Sequence, residues 1–96
     1  MPLQSLSLLN ADFVVTAAGH FAARLRNEAG PDSTARATLA FRLALGRAAD
    51  ASQMAASLEF LETQRGLYAS AADAETRAWT DFCQMLLASN AFLYVE

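Results

Sequence analysis

The feature that most constrains this chain is an apolar run that ends abruptly at a glycine. The run covers residues 38–45, and Gly46 and Arg47 follow it directly. Because its apolar side chains surround most of a helix, it predicts a helix that is buried on most sides. Gly46 can supply the left-handed residue that commonly closes a helix, and Arg47 places a cation near the negative end of the helix dipole. The run therefore predicts a central helix with other helices packed around it.

Composition supports an all-α fold. The 96 residues are 54% hydrophobic, with alanine dominant, which suits one small helical domain spanning 1–96. Val14, Val15 and Val95 are the only valines, and there is no isoleucine. Since β-branched residues favour strands, an all-β fold has little support.

Spacing and capping residues predict a compact bundle of four main helices, at about residues 11–28, 33–45, 51–65 and 72–88. A short helical turn is expected over Leu3–Leu9, and an apolar tail over Phe92–Val95. The expected starts are Asn10 or Asp12, Asp32 or Ser33, Asp50 with Gln53 as a capping box, and Ser70 with Asp73 as another capping pair. The expected ends are Gly30, Gly46, Gly66 and the pair Ser89–Asn90.

Three of these helices show an apolar stripe. The residues predicted to face the core are Val14, Ala17, Ala18, Phe21 and Leu25, then Met54, Ala55, Leu58 and Leu61, and finally Trp79, Phe82, Cys83, Leu86 and Leu87. Leu67 and Tyr68, in the loop before the fourth helix, are expected to fold back against the core.

Charge argues against nucleic-acid binding. The net charge is −3, with seven arginines and no lysine, whereas nucleic-acid binding needs a concentrated basic surface. The second and third helices resemble a helix-turn-helix in connection length alone, because Glu59 and Glu62 occupy the would-be recognition helix. No apolar run approaches the ~20 residues of a membrane span, and a signal peptide, if the protein has one, lies outside this chain.

No residue is assigned a catalytic, cofactor-binding or metal-binding role. His20 is the only histidine and lacks an accompanying Cys or carboxylate pattern, so a surface or structural role is favoured. The lone Cys83 lies on a buried stripe and is interpreted as a core residue. Glu59 and Glu62 are one turn apart but have no further ligands at metal-binding spacing. Trp79 and Phe82 are interpreted as core residues rather than as a ligand pocket.

Three segments carry a family resemblance. Residues 2–14 (PLQSLSLLNADFV) resemble an opening "TPLQALxLLNDPFV" signature, and residues 42–47 (RLALGR) resemble a "YRLALGRxPxxxE" turn. Residues 83–96 (CQMLLASNAFLYVE) are similar to a closing "CQALLNSNEFLYVD" motif. In this order they resemble the C-terminal part of the planctomycete-type domain of unknown function 1553. The chain departs at Ala48, where the family usually has proline, and at Ala91, where it usually has glutamate.

The resemblance implies a helical end-piece of a longer multidomain protein, in a family whose members are typically exported and have no established activity. The abrupt leucine-rich opening likewise suggests a C-terminal fragment. Two functions stay open. One is a non-catalytic structural or interaction module that completes the larger protein, with the upstream domains as partner or, without them, a second copy. The other is part of a substrate- or cofactor-binding pocket of an enzyme whose catalytic residues lie upstream; a pocket lined by His20 and the arginines would favour it.

Overall fold

A computed structural model describes residues 11–93, with side chains for residues 12–89. Within that range the chain forms four helices and no strand: α1 (Ala11–Ala29), α2 (Ser33–Leu45), α3 (Ala51–Leu67) and α4 (Ala74–Leu93). The predicted all-α bundle of four main helices is therefore confirmed. The helical turn expected at Leu3–Leu9 lies outside the described residues, as do Tyr94 and Val95 of the expected tail.

The predicted caps of α2 and the start of α3 are confirmed. Asp32 accepts a hydrogen bond from the backbone N–H of Ala35 (2.9 Å). Asp50 and Gln53 form the reciprocal capping box, with bonds of 2.7 and 3.0 Å. Gly46 has a φ of 76°, and its N–H donates to the carbonyl of Arg42 (3.0 Å), which closes α2. These local bonds satisfy backbone groups that a helix end otherwise leaves without partners.

Two predicted helix ends are wrong. Gly66 lies inside α3, and among the described residues only Gly30 and Gly46 have positive φ. Ser89 and Asn90 lie inside α4, which continues through Leu93. The Ser89 hydroxyl donates to the carbonyl of Met85 (3.0 Å), so its polar group is satisfied within the helix. A glycine or an asparagine can end a helix but does not force it to end.

The largest buried side chains come mainly from α4, which contacts each of the other helices. Its predicted stripe is confirmed by the full burial of Phe82 and Cys83 and by the near-complete burial of Trp79 and Leu86. Phe82 is the centre of an aromatic cluster, with ring centroids 5.4, 6.4 and 6.5 Å from Trp79, Phe60 and Phe41. The core is therefore built around one face of the last helix.

Helix α2 buries one face rather than most of its surface. Its buried residues are Arg36, Ala37, Ala40 and Phe41, and Leu39, Ala44 and Leu45 pack against them half-buried. Leu43, which the sequence places among the buried residues, is 40% exposed. The helix contacts all three others, yet they leave one of its sides open. In α3 the prediction for Ala55 is also wrong, since Ala55 is exposed and Ser57 is buried.

Candidate functional site

The residues that the sequence singles out for chemistry lie in different environments. His20 is on the exposed surface of α1, whereas Cys83 is fully buried in α4. Burial raises the pKa of the Cys83 thiol to about 12, so the side chain stays protonated and poorly nucleophilic near neutral pH. Glu59 and Glu62 are exposed. Across the described side chains, no three His, Cys, Asp or Glu residues are grouped as a metal site requires.

A charged network joins α2, α3 and α4. Arg65 donates to both carboxylate oxygens of Glu75 at 2.7 and 3.0 Å, and also to the hydroxyl of Ser33 at 2.8 Å. The indole N–H of Trp79 donates to the same carboxylate at 2.9 Å. Hydrogen bonding to Arg65 lowers the pKa of Glu75, and the same bond raises the pKa of Arg65. All of these side chains already have partners, so the network acts as an interhelical clamp.

A second polar contact fixes the loop between α3 and α4. The Tyr68 hydroxyl donates to Asp81 (2.6 Å), and the Gln64 amide donates to the same oxygen (2.8 Å). The bond to Asp81 raises the pKa of Tyr68. Tyr68 is half-buried, as the predicted fold-back requires, whereas Leu67 is 70% exposed, so that prediction is wrong for Leu67.

A cleft of about 170 Å³ lies between α1, α2 and α4. Its lining residues are Gly19, Ala22, Ala23, Arg26, Arg36, Glu75, Thr76 and Trp79. Arg36 is the unexpected member: it is only 7% exposed, donates from Nε to the carbonyl of Gly30, and places its guanidinium carbon 5.4 Å from the centre of a Trp79 ring. His20 does not line this cleft.

The sequence offers one signal for Arg36. It is one helical turn before the buried Ala40 and next to the buried Ala37, so it belongs to the inward face of α2. Hydrophobic periodicity missed it because an arginine counts as a surface residue in that pattern. A guanidinium can lie on an inward face when an aromatic ring and a carbonyl receive it.

An open groove of about 350 Å³ lies between α2, α3 and α4 and is mainly apolar. Its lining residues are Phe41, Gln53, Ala56, Ser57, Phe60 and Met85. Met85 is 41% exposed and Phe60 is half-buried, while Phe41 forms the groove's buried floor. The groove and the cleft share no lining residue.

Comparisons with known proteins gave one match. The family model described as "PSD1: Protein of unknown function (DUF1553)" matches residues 1–61. The matched segment includes the opening motif and the turn at Gly46, whereas the closing motif at 83–96 lies beyond it. No curated protein and no solved structure matches the chain. Within residues 11–93, none of the helices has both the length and the hydropathy needed to cross a membrane.

Proposed function

The chain belongs to the DUF1553 family of proteins of unknown function, and from this premise we propose that it is a non-catalytic helical interaction module. In this proposal it completes a larger multidomain protein by docking onto the upstream part of the same polypeptide. The premise matters because the resemblance described above implies long family members, in which a module of this size has neighbouring domains to contact.

The observation that carries the proposal is the apolar groove. Met85 and Phe60 expose apolar surface above the buried Phe41, so a partner side chain placed there would remove apolar area from water on both sides. Gln53 adds a half-buried polar group to the groove, as is usual at the edge of a docking surface, whereas the buried Ser57 hydroxyl donates to the Gln53 carbonyl.

The environments of Cys83, the candidate nucleophile, and of His20, the candidate base, support a non-catalytic role. Cys83 is buried and protonated. His20 is exposed on α1 and does not line the cleft between α1, α2 and α4. Nucleophilic catalysis needs an accessible, activated group within reach of a base. We therefore expect no turnover by this chain alone.

The test is isothermal titration calorimetry of the chain with the upstream region of its natural polypeptide. Met85→Glu should weaken binding by tenfold or more, because it places a charge in an apolar contact. Leu43→Glu is the matched control: Leu43 is 40% exposed, Met85 is 41% exposed, and Leu43 does not line the groove. Both variants should keep the helical circular dichroism of the parent chain.

Two results would contradict the docking function. One is the absence of any heat of binding with the upstream region, combined with a strictly monomeric chain at high concentration. The other is an equal effect of Met85→Glu and Leu43→Glu. Self-association of the isolated chain that Met85→Glu abolishes would agree with the proposal, since a second copy would then cover the groove.

A second function is favoured by the cleft. Two of its lining residues are arginines, which suits a contribution to a substrate- or cofactor-binding pocket of an enzyme whose catalytic residues lie upstream. His20 was the other residue expected in such a pocket, and it is absent from the lining. The docking function is preferred because the cleft is small compared with the ~300–1,000 Å³ of ordinary ligand pockets.

A further inference from the structure

We propose that the cleft between α1, α2 and α4 is a binding site for a carboxylate group. The site consists of the Arg36 guanidinium, which lies over a ring of Trp79, with Arg26 as a second cation at the same cleft. It is separate from the docking groove, with which it shares no residue, so it does not depend on the docking function.

Arg36 is oriented before any ligand arrives. Its Nε donates to the Gly30 carbonyl, and its guanidinium carbon lies over a ring of Trp79. Its two terminal nitrogens donate to no acceptor among the described residues. Every buried side-chain nitrogen or oxygen in the described part of the chain has a partner, so these terminal nitrogens keep some exposure to solvent, on a residue that lines the cleft. A guanidinium fixed in this way loses little conformational freedom when it binds an anion in a two-pronged fashion.

Arg26 supplies the second cation. It is exposed in the last turn of α1, and its side chain makes no ion pair or hydrogen bond within residues 11–93. With Glu75 also in the lining, the cleft has two positive charges and one negative charge. The whole chain carries a net charge of −3, so this site has the opposite sign to the protein as a whole.

The apolar part of the lining narrows the class of anion that the cleft would bind. The Glu75 carboxylate accepts hydrogen bonds from Arg65 and Trp79, and these bonds together with the nearby charge of Arg36 lower its pKa, so it stays negatively charged at the edge of the cleft. A doubly charged phosphate is attracted more strongly by the two arginines and repelled more strongly by Glu75 than a singly charged carboxylate is, so charge alone does not separate the two anions. The alanine and glycine part of the lining has no side-chain donors for the further oxygens of a phosphate, whereas it suits a short carboxylate with an apolar stem.

The carboxylate could belong to an Asp or Glu side chain of a protein segment or to a free short-chain acid. Trp79 is the only tryptophan, so its fluorescence reports directly on the cleft. The probes are propionate, the neutral propionamide, inorganic phosphate and a capped tripeptide Ala-Asp-Ala, each added at constant ionic strength. Propionate should give a saturable change in fluorescence, propionamide should give none, and phosphate should bind more weakly than propionate.

Arg26→Gln should weaken propionate binding about tenfold, since a cation–carboxylate contact is removed from a partly enclosed site. Arg24→Gln is the matched control: it removes the same charge from α1, at a residue outside the cleft that pairs with Glu28. Arg36→Gln should abolish binding, provided that circular dichroism shows it to be folded. The Arg26 variant keeps the test decisive if Arg36→Gln unfolds.

Tighter binding of the tripeptide than of propionate would identify a protein segment as the natural source, and equal or weaker binding would identify a free acid; both agree with a carboxylate site. The proposal is overturned if propionate and propionamide behave alike, if phosphate binds more tightly than propionate, or if Arg26→Gln and Arg24→Gln bind propionate equally.

Discussion

Trp79 connects the core, the clamp and the cleft at the scale of a single residue. Its ring packs edge-on against Phe82, its N–H donates to Glu75, and its face supports Arg36. The side chain is 1% exposed, so both its apolar surface and its polar group depend on these neighbours.

Replacing Trp79 with alanine should lower the free energy of unfolding by roughly 3–5 kcal/mol, the usual cost of deleting a large buried aromatic side chain. Trp79→Phe should cost less, because it keeps an aromatic ring in the core and loses mainly the bond to Glu75. Urea denaturation followed by circular dichroism would measure both. A loss below about 1 kcal/mol for Trp79→Ala would show that the residue is not part of the core.

The sequence could predict the burial of Trp79 but not its partners. Helical spacing places Trp79, Phe82 and Leu86 on one face, and local periodicity is sufficient for that. Glu75 lies one helical turn before Trp79, but apolar periodicity does not indicate that the two side chains form a hydrogen bond. Arg36 lies on a different helix, so its contact with the Trp79 ring depends on how α2 and α4 pack.

At the scale of the helices, the local sequence signals for helix starts and ends differ in how reliable they are. The Asp50 box and the left-handed Gly46 were predictable because each is a self-contained hydrogen-bonding arrangement within a few residues. The prediction that a helix ends at Gly66 was wrong because a glycine permits a helix to end but does not require it. The continuation of α4 past Asn90 was missed for the same reason.

The two glycines should therefore respond in opposite directions to substitution. Gly46→Val should cost on the order of 1 kcal/mol or more, because a β-branched residue is strained at a φ of 76°. Gly66→Ala should raise stability by about 0.4–1 kcal/mol, since Gly66 is helical and has open space around its Cα. Thermal or urea unfolding midpoints that move in the same direction for both variants would contradict the assigned conformations.

The Arg65–Glu75 clamp should make the bundle sensitive to acid. Because the folded pKa of Glu75 is lowered, the clamp contributes stability above the unfolded pKa of about 4.5, and this contribution is lost as the pH falls through the folded pKa. The loss should be under about 1 kcal/mol, since the Glu75 side chain is 50% exposed and screened by solvent.

Urea denaturation at pH 7 and at pH 3 would check this prediction. Glu75→Gln should show a smaller drop between the two pH values than the parent chain. Glu28→Gln is a suitable control, because Glu28 forms an exposed pair within α1 and joins no two helices. An acid-induced drop of the same size in the parent chain and in Glu75→Gln would argue against the clamp.

At the scale of the whole molecule, the four described helices enclose a core around α4 and leave the cleft and the groove open. The all-α class and the helix order followed from composition and periodicity. The cleft and the groove did not, because each is formed by residues from three helices whose relative placement no local pattern determines. A function that depends on these surfaces is determined by how the helices pack and not by a single sequence motif.

The most direct test of the docking function is methyl nuclear magnetic resonance on the chain labelled at its methionines, titrated with the upstream region. Met85 lines the groove and is 41% exposed, whereas Met54 is half-buried against the core and does not line it. The docking function predicts a saturable shift or broadening of the Met85 methyl signal, with the Met54 signal unchanged. A Met85 signal that stays unchanged at saturating concentrations of the upstream region would contradict it.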